Sequence, residues 1–315
     1  MYIPLYFKEN NSYKKNKNII VLFLLLSIII SHNQKNIKVC LCVIAKNENL
    51  YIKEFVEYYK NIGYNKIFIY DNNEQNGENF VDVIKDYIII GFVEIIHFKN
   101  INSNSTPQLE AYKDCYYKNN KIFNWLSFFD VDEYLELNKK YKNVKYFLTD
   151  KKFKNCKNIK INWLFYFDKN KLYYENKTLQ ERIKVFKYDD PVNSHIKSIV
   201  RGGLSTNYWK EAKDPHTSLL NVTSCSSSGK IIEFDSPFNK PPDYTNAKLK
   251  HYCYKSFEEY CLKLKKGRAD CNKNKGKEIL YNTLKGLYVQ IKNNSEKLKI
   301  FNRLFNDSTF INISL

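Results

Sequence analysis

From Ile37 onward four short, mainly apolar runs follow one another: Ile37 to Ala45, Lys66 to Tyr70, Phe92 to Ile96 and Trp125 to Phe129. Runs of this length read as buried strands. Between the first two, Ile52, Phe55, Val56, Tyr59 and Ile62 recur at helical spacing. Lys53, Glu54, Glu57 and Lys60 fill the opposite face, and Gly63 follows as a C-terminal stop. Asn79 to Ile89 and Pro107 to Tyr117 read as two further helices. Strands spaced about 30 residues apart with a helix between them are βαβ units, which predict a mostly parallel sheet covered on both faces. Such a sheet binds its ligand at the carboxyl ends of the strands, so the residues directly after each run are where chemistry is expected.

Beyond Glu136 the periods loosen. Asn158 to Phe167, Arg182 to Tyr188 and Ile196 to Val200 are expected strands, and Ser224 to Gly229 and Lys240 to Asp243 expected surface loops. Ser256 to Lys266 reads as a helix, and Lys277 to Phe305 as one or two basic amphipathic helices. The 315 residues suffice for one large domain or two small ones. At the other end, a leader with Lys8, Lys14, Lys15 and Lys17 precedes the apolar run Ile19 to Ile30, which only Ser27 interrupts. That run falls short of the roughly 20 residues that span a bilayer, and no small-residue cleavage site follows it. The expectation is a membrane-associated chain; packing of the run on the globular domain is the other reading. The division expected is 1–36 as basic leader and membrane-associating segment, 37–270 as the α/β domain and 271–315 as a basic helical extension.

Lys and Arg total 51 against 33 Asp and Glu, a formal charge of +18. Only four of the basic residues are arginine, and the chain is rich in Asn, Ile, Tyr and Phe, all residues with A/T-rich codons. Lysine is a point charge that does not replace arginine in bidentate readout, so a nucleic-acid partner is not expected. The eight cysteines are scattered without a C-x-x-C pair, which argues against a zinc ribbon or a redox motif and for buried free thiols.

Acids collect after the predicted strands: Glu48 behind the first, Asp71 behind the second, and Asp130-Val131-Asp132-Glu133 behind the fourth. Carboxylates at i and i+2 of an extended segment face one way, so Asp130 and Asp132 can share Mg²⁺ or Mn²⁺ while Val131 points to the core. A divalent ion with lysine or arginine nearby suits a leaving diphosphate. A turn or capping cluster on a solvated edge is the plainer reading of the same acids.

Several ordered stretches resemble a known family. They are Val39 to Glu48, Tyr51 to Phe55 with Gly63-Tyr64, Ile69 to Asn73, Gln108, Phe128 to Tyr134, His251-Tyr252, Lys255 to Tyr260, Lys263 and Lys266 to Asp270. Together they are similar to glycosyltransferase family 92 and its bacterial family-2-like relatives. The resemblance implies a GT-A-type three-layer α/β/α sandwich with a mixed, mostly parallel sheet and C-terminal helices. It implies an inverting, metal-dependent transfer of galactose or a similar hexose from a UDP-sugar, since UDP-galactose is the donor of some eukaryotic members, to a glycan or glycolipid acceptor. On the matching positions it makes Asp130, Asp132 and His251 ligands of Mn²⁺ or Mg²⁺. Glu48, Asp71, Asp130, Lys255 and Arg268 become contacts to the donor. An inverting transfer also needs a carboxylate base on the acceptor side. Glu181 and Glu258 are the candidates. The same metal site would serve a nucleotidyltransferase, although no Gly/Arg-rich triphosphate loop is visible, and a non-catalytic binder on the same fold is the third reading.

Overall fold

The computed structural model describes residues 37–98, 106–168, 170–210, 212, 214–216, 221–232, 236–271 and 273–305. Lys38–Leu315 forms one compact unit, to which everything below refers. Its first half is the predicted βαβ series: β1 (Val39–Ala45), α1 (Asn49–Asn61), β2 (Lys66–Asp71), α2 (Val81–Ile89), β3 (Val93–His97), α3 (Pro107–Asn119) and β4 (Trp125–Phe128). The second half holds β5 (Glu133–Leu137), α4 (Val144–Leu148), β6 (Asn158–Phe167), α5 (Leu179–Arg182), β7 (Ile196–Arg201), α6 (Asn207–Lys210), β8 (Ser224–Cys225), β9 (Ile231–Ile232), β10 (Ala247–Tyr254), α7 (Phe257–Lys266), α8 (Lys273–Ile291) and α9 (Ser295–Phe305).

The strands lie in the order β3-β2-β1-β4-β7-β6-β10-β5, with β8 and β9 branching from β6. Five of the nine pairings are parallel, and the antiparallel ones begin where β7 joins β4. Alternation along the strands sorts the two faces. Cys40, Cys42, Phe68, Tyr70, Leu126 and Phe128 pack against Leu109, Tyr112, Cys115 and Tyr116 of α3 and Trp209 of α6. On the other face Ser127 bonds the Tyr64 hydroxyl at 2.7 Å, and Tyr59 of α1 packs against Tyr64, Phe129 and Tyr134. This is the expected GT-A-type layering, a mixed sheet between helices. The C-terminal helices α8 and α9 bury Leu284, Leu287, Ile291, Ile300, Phe301 and Phe305 against Phe257 and Cys261 of α7.

Four expectations are corrected. Membrane association is overturned: among the described residues no helix is long and apolar enough to cross a membrane, and the run Ile19 to Ile30 lies outside them. Arg182 to Tyr188 is no strand; it starts as the end of α5 and continues irregularly, touching β6 only through a Tyr166–Phe186 bridge. Ser224-Cys225, expected in a loop, is a short strand beside β6. The same segment corrects the reading of the thiols, because Cys225 is disulfide-bonded to Cys156 while six other cysteines are free.

Two local constraints hold these layers together. After β7 the chain turns back through Gly202, where a Cβ would lie 1.9 Å from the Phe123 carbonyl oxygen and 2.6 Å from that of Asn120. Elsewhere, Arg182 of α5 and Glu259 of α7 form a bidentate pair with both side chains 1% exposed, its Nη1–Oε2 bond measuring 2.7 Å. Tyr51 of α1 donates to the same carboxylate at 2.6 Å, and the Ser256 amide does so at 3.0 Å. Burial alone would raise the Glu259 carboxyl, but the bonds from Arg182, Ser256 and Tyr51 hold it down at about 2.

Glu259→Ala is expected to cost about 3–5 kcal/mol in urea denaturation, since it strands a buried guanidinium. Glu181→Ala, on the exposed side of α5, should change stability far less. Because the folded-state value of Glu259 is depressed, its contribution is complete above the unfolded carboxylate pKa of about 4.3 and is lost as pH falls toward about 2. Far-UV acid titrations of the wild type and Glu259→Gln should differ in that window. Gly202→Ala is expected to lose about 1–3 kcal/mol by forcing the turn off the two carbonyls, which the same denaturation assay measures.

Candidate active site

The acidic turn leaves β4 at the carboxyl edge of the sheet and enters β5. Val131 is buried, as its position requires, and the turn is closed by reciprocal bonds: the Asp130 amide donates to Glu133 Oε2 at 2.8 Å, and the Glu133 amide to the Asp130 carbonyl at 3.0 Å. Asp130 Oδ1 accepts from Gln108 Nε2 at 2.5 Å and the Tyr112 hydroxyl at 3.1 Å, both on α3. Its Oδ2 accepts from Lys197 Nζ at 2.9 Å. Lys197 is the second residue of β7, is wholly buried, and stands 3.9 Å from Glu133 Oε2. Burial works against its charge, but Asp130 and Glu133 raise it above the ordinary lysine value. In turn, burial works against ionising Asp130 while Lys197 brings it below the usual carboxylate range. Burial pushes Glu133 up to about 8.

Asp132 turns the other way, to β10 and α7. Its Oδ2 accepts from Lys263 Nζ at 2.7 Å with Lys255 Nζ at 3.9 Å, and its Oδ1 stands 3.6 Å from His251 Nε2. Burial opposes the charge, yet Lys263, His251 and Lys255 hold the carboxyl well below its ordinary value. Lys255 is buried over the Tyr51 ring at 4.1 Å, and burial lowers its pKa. Lys263 also reaches Cys253 Sγ at 3.5 Å. Burial would raise that thiol, but Lys263 and His251 pull it down to about 6.

The other predicted contacts fall around this centre. Glu48, just before α1, is buried and paired with Lys266, one turn beyond Lys263 on α7. Asp71 closes β2, accepting the Asn73 amide at 2.9 Å and facing His97 Nδ1 at 3.6 Å. Arg268 is half-exposed and bonded to Asp270 at 2.8 Å, and the adjoining Ala269 carbonyl accepts the Gln108 amide at 3.0 Å, which brings this segment beside a partner of Asp130. The two carboxylates expected as general base serve other ends. Glu181 closes a capping box on Thr178, and Glu258 binds Arg303 and the Tyr174 amide. Neither is joined by a hydrogen bond or ion pair to Asp130, Asp132, Lys197 or His251 among the described residues.

A divalent ion fits part of this geometry. Asp132 Oδ1 and His251 Nε2 stand too far apart to bond each other and close enough to share a cation. Among the described residues no three acid, histidine or cysteine side chains converge on one point, so the expected ligand set of Asp130, Asp132 and His251 is corrected: Asp130 is drawn away by Lys197, Gln108 and Tyr112. An ion held by Asp132 and His251 would have to draw its remaining ligands from phosphate oxygens and water.

Some of the site escaped the sequence reading. Lys197 was legible only as a charge beside Ser198 in the expected strand Ile196 to Val200, a signal that reads as a buried pair once its partners are known. Three of the five histidines, scattered in sequence, gather on Trp163 of β6. His195 stacks on that ring at 4.8 Å, His251 lies 4.1 Å away and His216 meets it edge-on at 5.3 Å.

The profile of glycosyltransferase family 92 matches residues 35–255. A glycosyltransferase family 92 protein of Ricinus communis is 30% identical over 108 residues, covering 33% of this chain and 18% of that protein. One of Arabidopsis thaliana is 26% identical over 103 residues, 31% of this chain and 16% of that one. The chain thus spans less than a fifth of the length of these relatives. Among solved structures, residues 1–349 of S. aureus TarS in complex with UDP-GlcNAc align with 86% of this chain and 80% of that one, at 12% identity and a TM-score of 0.37. With the profile covering most of the sequence, the chain belongs to glycosyltransferase family 92.

Proposed function

We propose that this chain is an inverting glycosyltransferase that moves galactose or a similar hexose from a UDP-sugar to a glycan acceptor, with residues 37–270 as its catalytic domain. The observation that carries the reading is the acidic turn at the strand ends of a family 92 chain, faced by cations of β7, β10 and α7. Asp132 and His251 would hold Mn²⁺ or Mg²⁺, whose charge offsets that developing on the leaving diphosphate, an effect worth several kcal/mol. Lys255 and Lys263, already drawn to Asp132, stand where the same diphosphate would collect its remaining positive partners. Asp130 is fixed by Gln108, Tyr112 and Lys197, so it is set before the donor arrives and needs no reorganisation to accept a donor hydroxyl. Glu48 and Asp71 sit behind the first two strands, where a doubly wound sheet receives a nucleoside.

The test is thermal shift and donor hydrolysis with a panel of UDP- and GDP-sugars, with and without Mn²⁺, on the wild type and on Asp132→Ala. One nucleotide class should stabilise the wild type in a manganese-dependent way, and Asp132→Ala should lose the response. A folded wild type that answers no nucleotide sugar would overturn the transferase reading.

A further inference from the structure

An acceptor hydroxyl must lose its proton as it attacks, and the two carboxylates expected for that task are bonded elsewhere. His216 has the geometry they lack. It follows β7 in the turn Asp214-Pro215-His216, where its amide donates to Asp214 Oδ1 at 2.7 Å and its carbonyl accepts from Ser198 Oγ at 3.1 Å. Its ring Nδ1 lies 2.9 Å from the Ile196 carbonyl oxygen. A carbonyl only accepts, so Nδ1 carries the hydrogen and Nε2 carries the lone pair. Among the described residues nothing hydrogen-bonds Nε2. The ring is partly exposed and sits edge-on to Trp163 at 5.3 Å and to His195 at 5.9 Å. Trp163 also packs on His251, which faces Asp132, while the backbone bond to Ile196 ties the ring to the residue before Lys197, the partner of Asp130. The imidazole thus stands among the residues assigned to the donor, on the side lined by β6 and β7.

We propose that His216 is the general base of the transfer. The inference rests on the glycosyltransferase reading above. As the acceptor oxygen forms its bond to the anomeric carbon, the bond from that carbon to the diphosphate oxygen breaks, and its electron pair leaves with the diphosphate. The hydroxyl proton passes to Nε2, giving an imidazolium that returns it to solvent after product leaves. The charged groups that face the ring suit this role: Lys197 on β7, Asp130 on the acidic turn and Asp214 on its own loop. Burial first, then the Lys197 ammonium, hold the imidazole down at about 4, so it is neutral and able to accept a proton at ordinary pH. A bound diphosphate adds negative charge and makes the imidazolium easier to form.

The test compares wild type with His216→Asn, whose amide nitrogen keeps the bond to the Ile196 carbonyl but offers no basic nitrogen, and with His216→Gln in case the first fails to fold. Hydrolysis of UDP-galactose, or of the UDP- or GDP-hexose from the panel above that stabilises the wild type most, is read beside its binding by thermal shift. The expected result is a fall in kcat of about 10²–10⁴-fold with donor binding unchanged. Partial recovery in added imidazole is expected as well. Unchanged kcat in a folded variant would overturn the assignment, and so would loss of donor binding together with turnover, which marks a structural role. A wild type that binds no nucleotide sugar would instead overturn the transferase reading itself.

Discussion

A lysine ammonium with no exposure to water is tolerable only where carboxylates come to meet it, because the cost of burying it unpaired is several kcal/mol. Lys197 imposes that condition at the start of β7. Asp130 answers it from the turn between β4 and β5, with Glu133, raised by burial, 3.9 Å away, and the antiparallel register that sets Phe128 opposite Ser198 brings turn and lysine together. Once Asp130 is drawn to Lys197, its other oxygen is available to Gln108 and Tyr112, so α3 is joined to the same charge. The direction of the acidic turn is therefore set by electrostatics in the core, and Asp132, two residues on, is aimed at β10 and α7 as a result.

The lysines deserve a second reading in that light. Lysine stands with Asn, Ile, Tyr and Phe among the residues with A/T-rich codons that this chain favours. Four of the lysines are site residues: Lys197 on Asp130, Lys255 and Lys263 near Asp132, and Lys266 on Glu48. Three of those lie within β10, α7 and the link between them, so one short stretch of chain supplies much of the positive charge facing the acids.

The parts of the fold that the sequence disclosed are those governed by local pattern. Asn158–Phe167 was read to the residue, and β1, β2, β4, β7 and α7 within two residues at either end, because continuous apolar runs and a Ser-initiated helix declare themselves. The strand β10 was not seen. Its Lys248 and Lys250 interrupt the apolar pattern, and they are accommodated because both pair with Glu136 on the neighbouring β5. Arg182 to Tyr188 failed for a related reason: Arg182 is buried by a carboxylate 77 residues away, and no local pattern announces such a partner. In the site the acids were legible because they follow strands. The roles of Lys197 and His216 were not, since each depends on neighbours from distant segments.

The sulfur chemistry of the chain is divided between one disulfide and a cluster of core thiols. Cys156 and Cys225 are linked across 69 residues, clamping the start of β6 to β8. Cys40, Cys42 and Cys115 lie together in the core between the sheet and α3, where burial raises Cys40 and Cys42 well above the ordinary thiol value. A thiol that cannot ionise does not attack a disulfide. Packing of α3 on the sheet therefore does more than bury apolar area: it withdraws Cys40 and Cys42 from thiol exchange, while Cys253, held down at about 6 by Lys263 and His251, stays ionisable at the site.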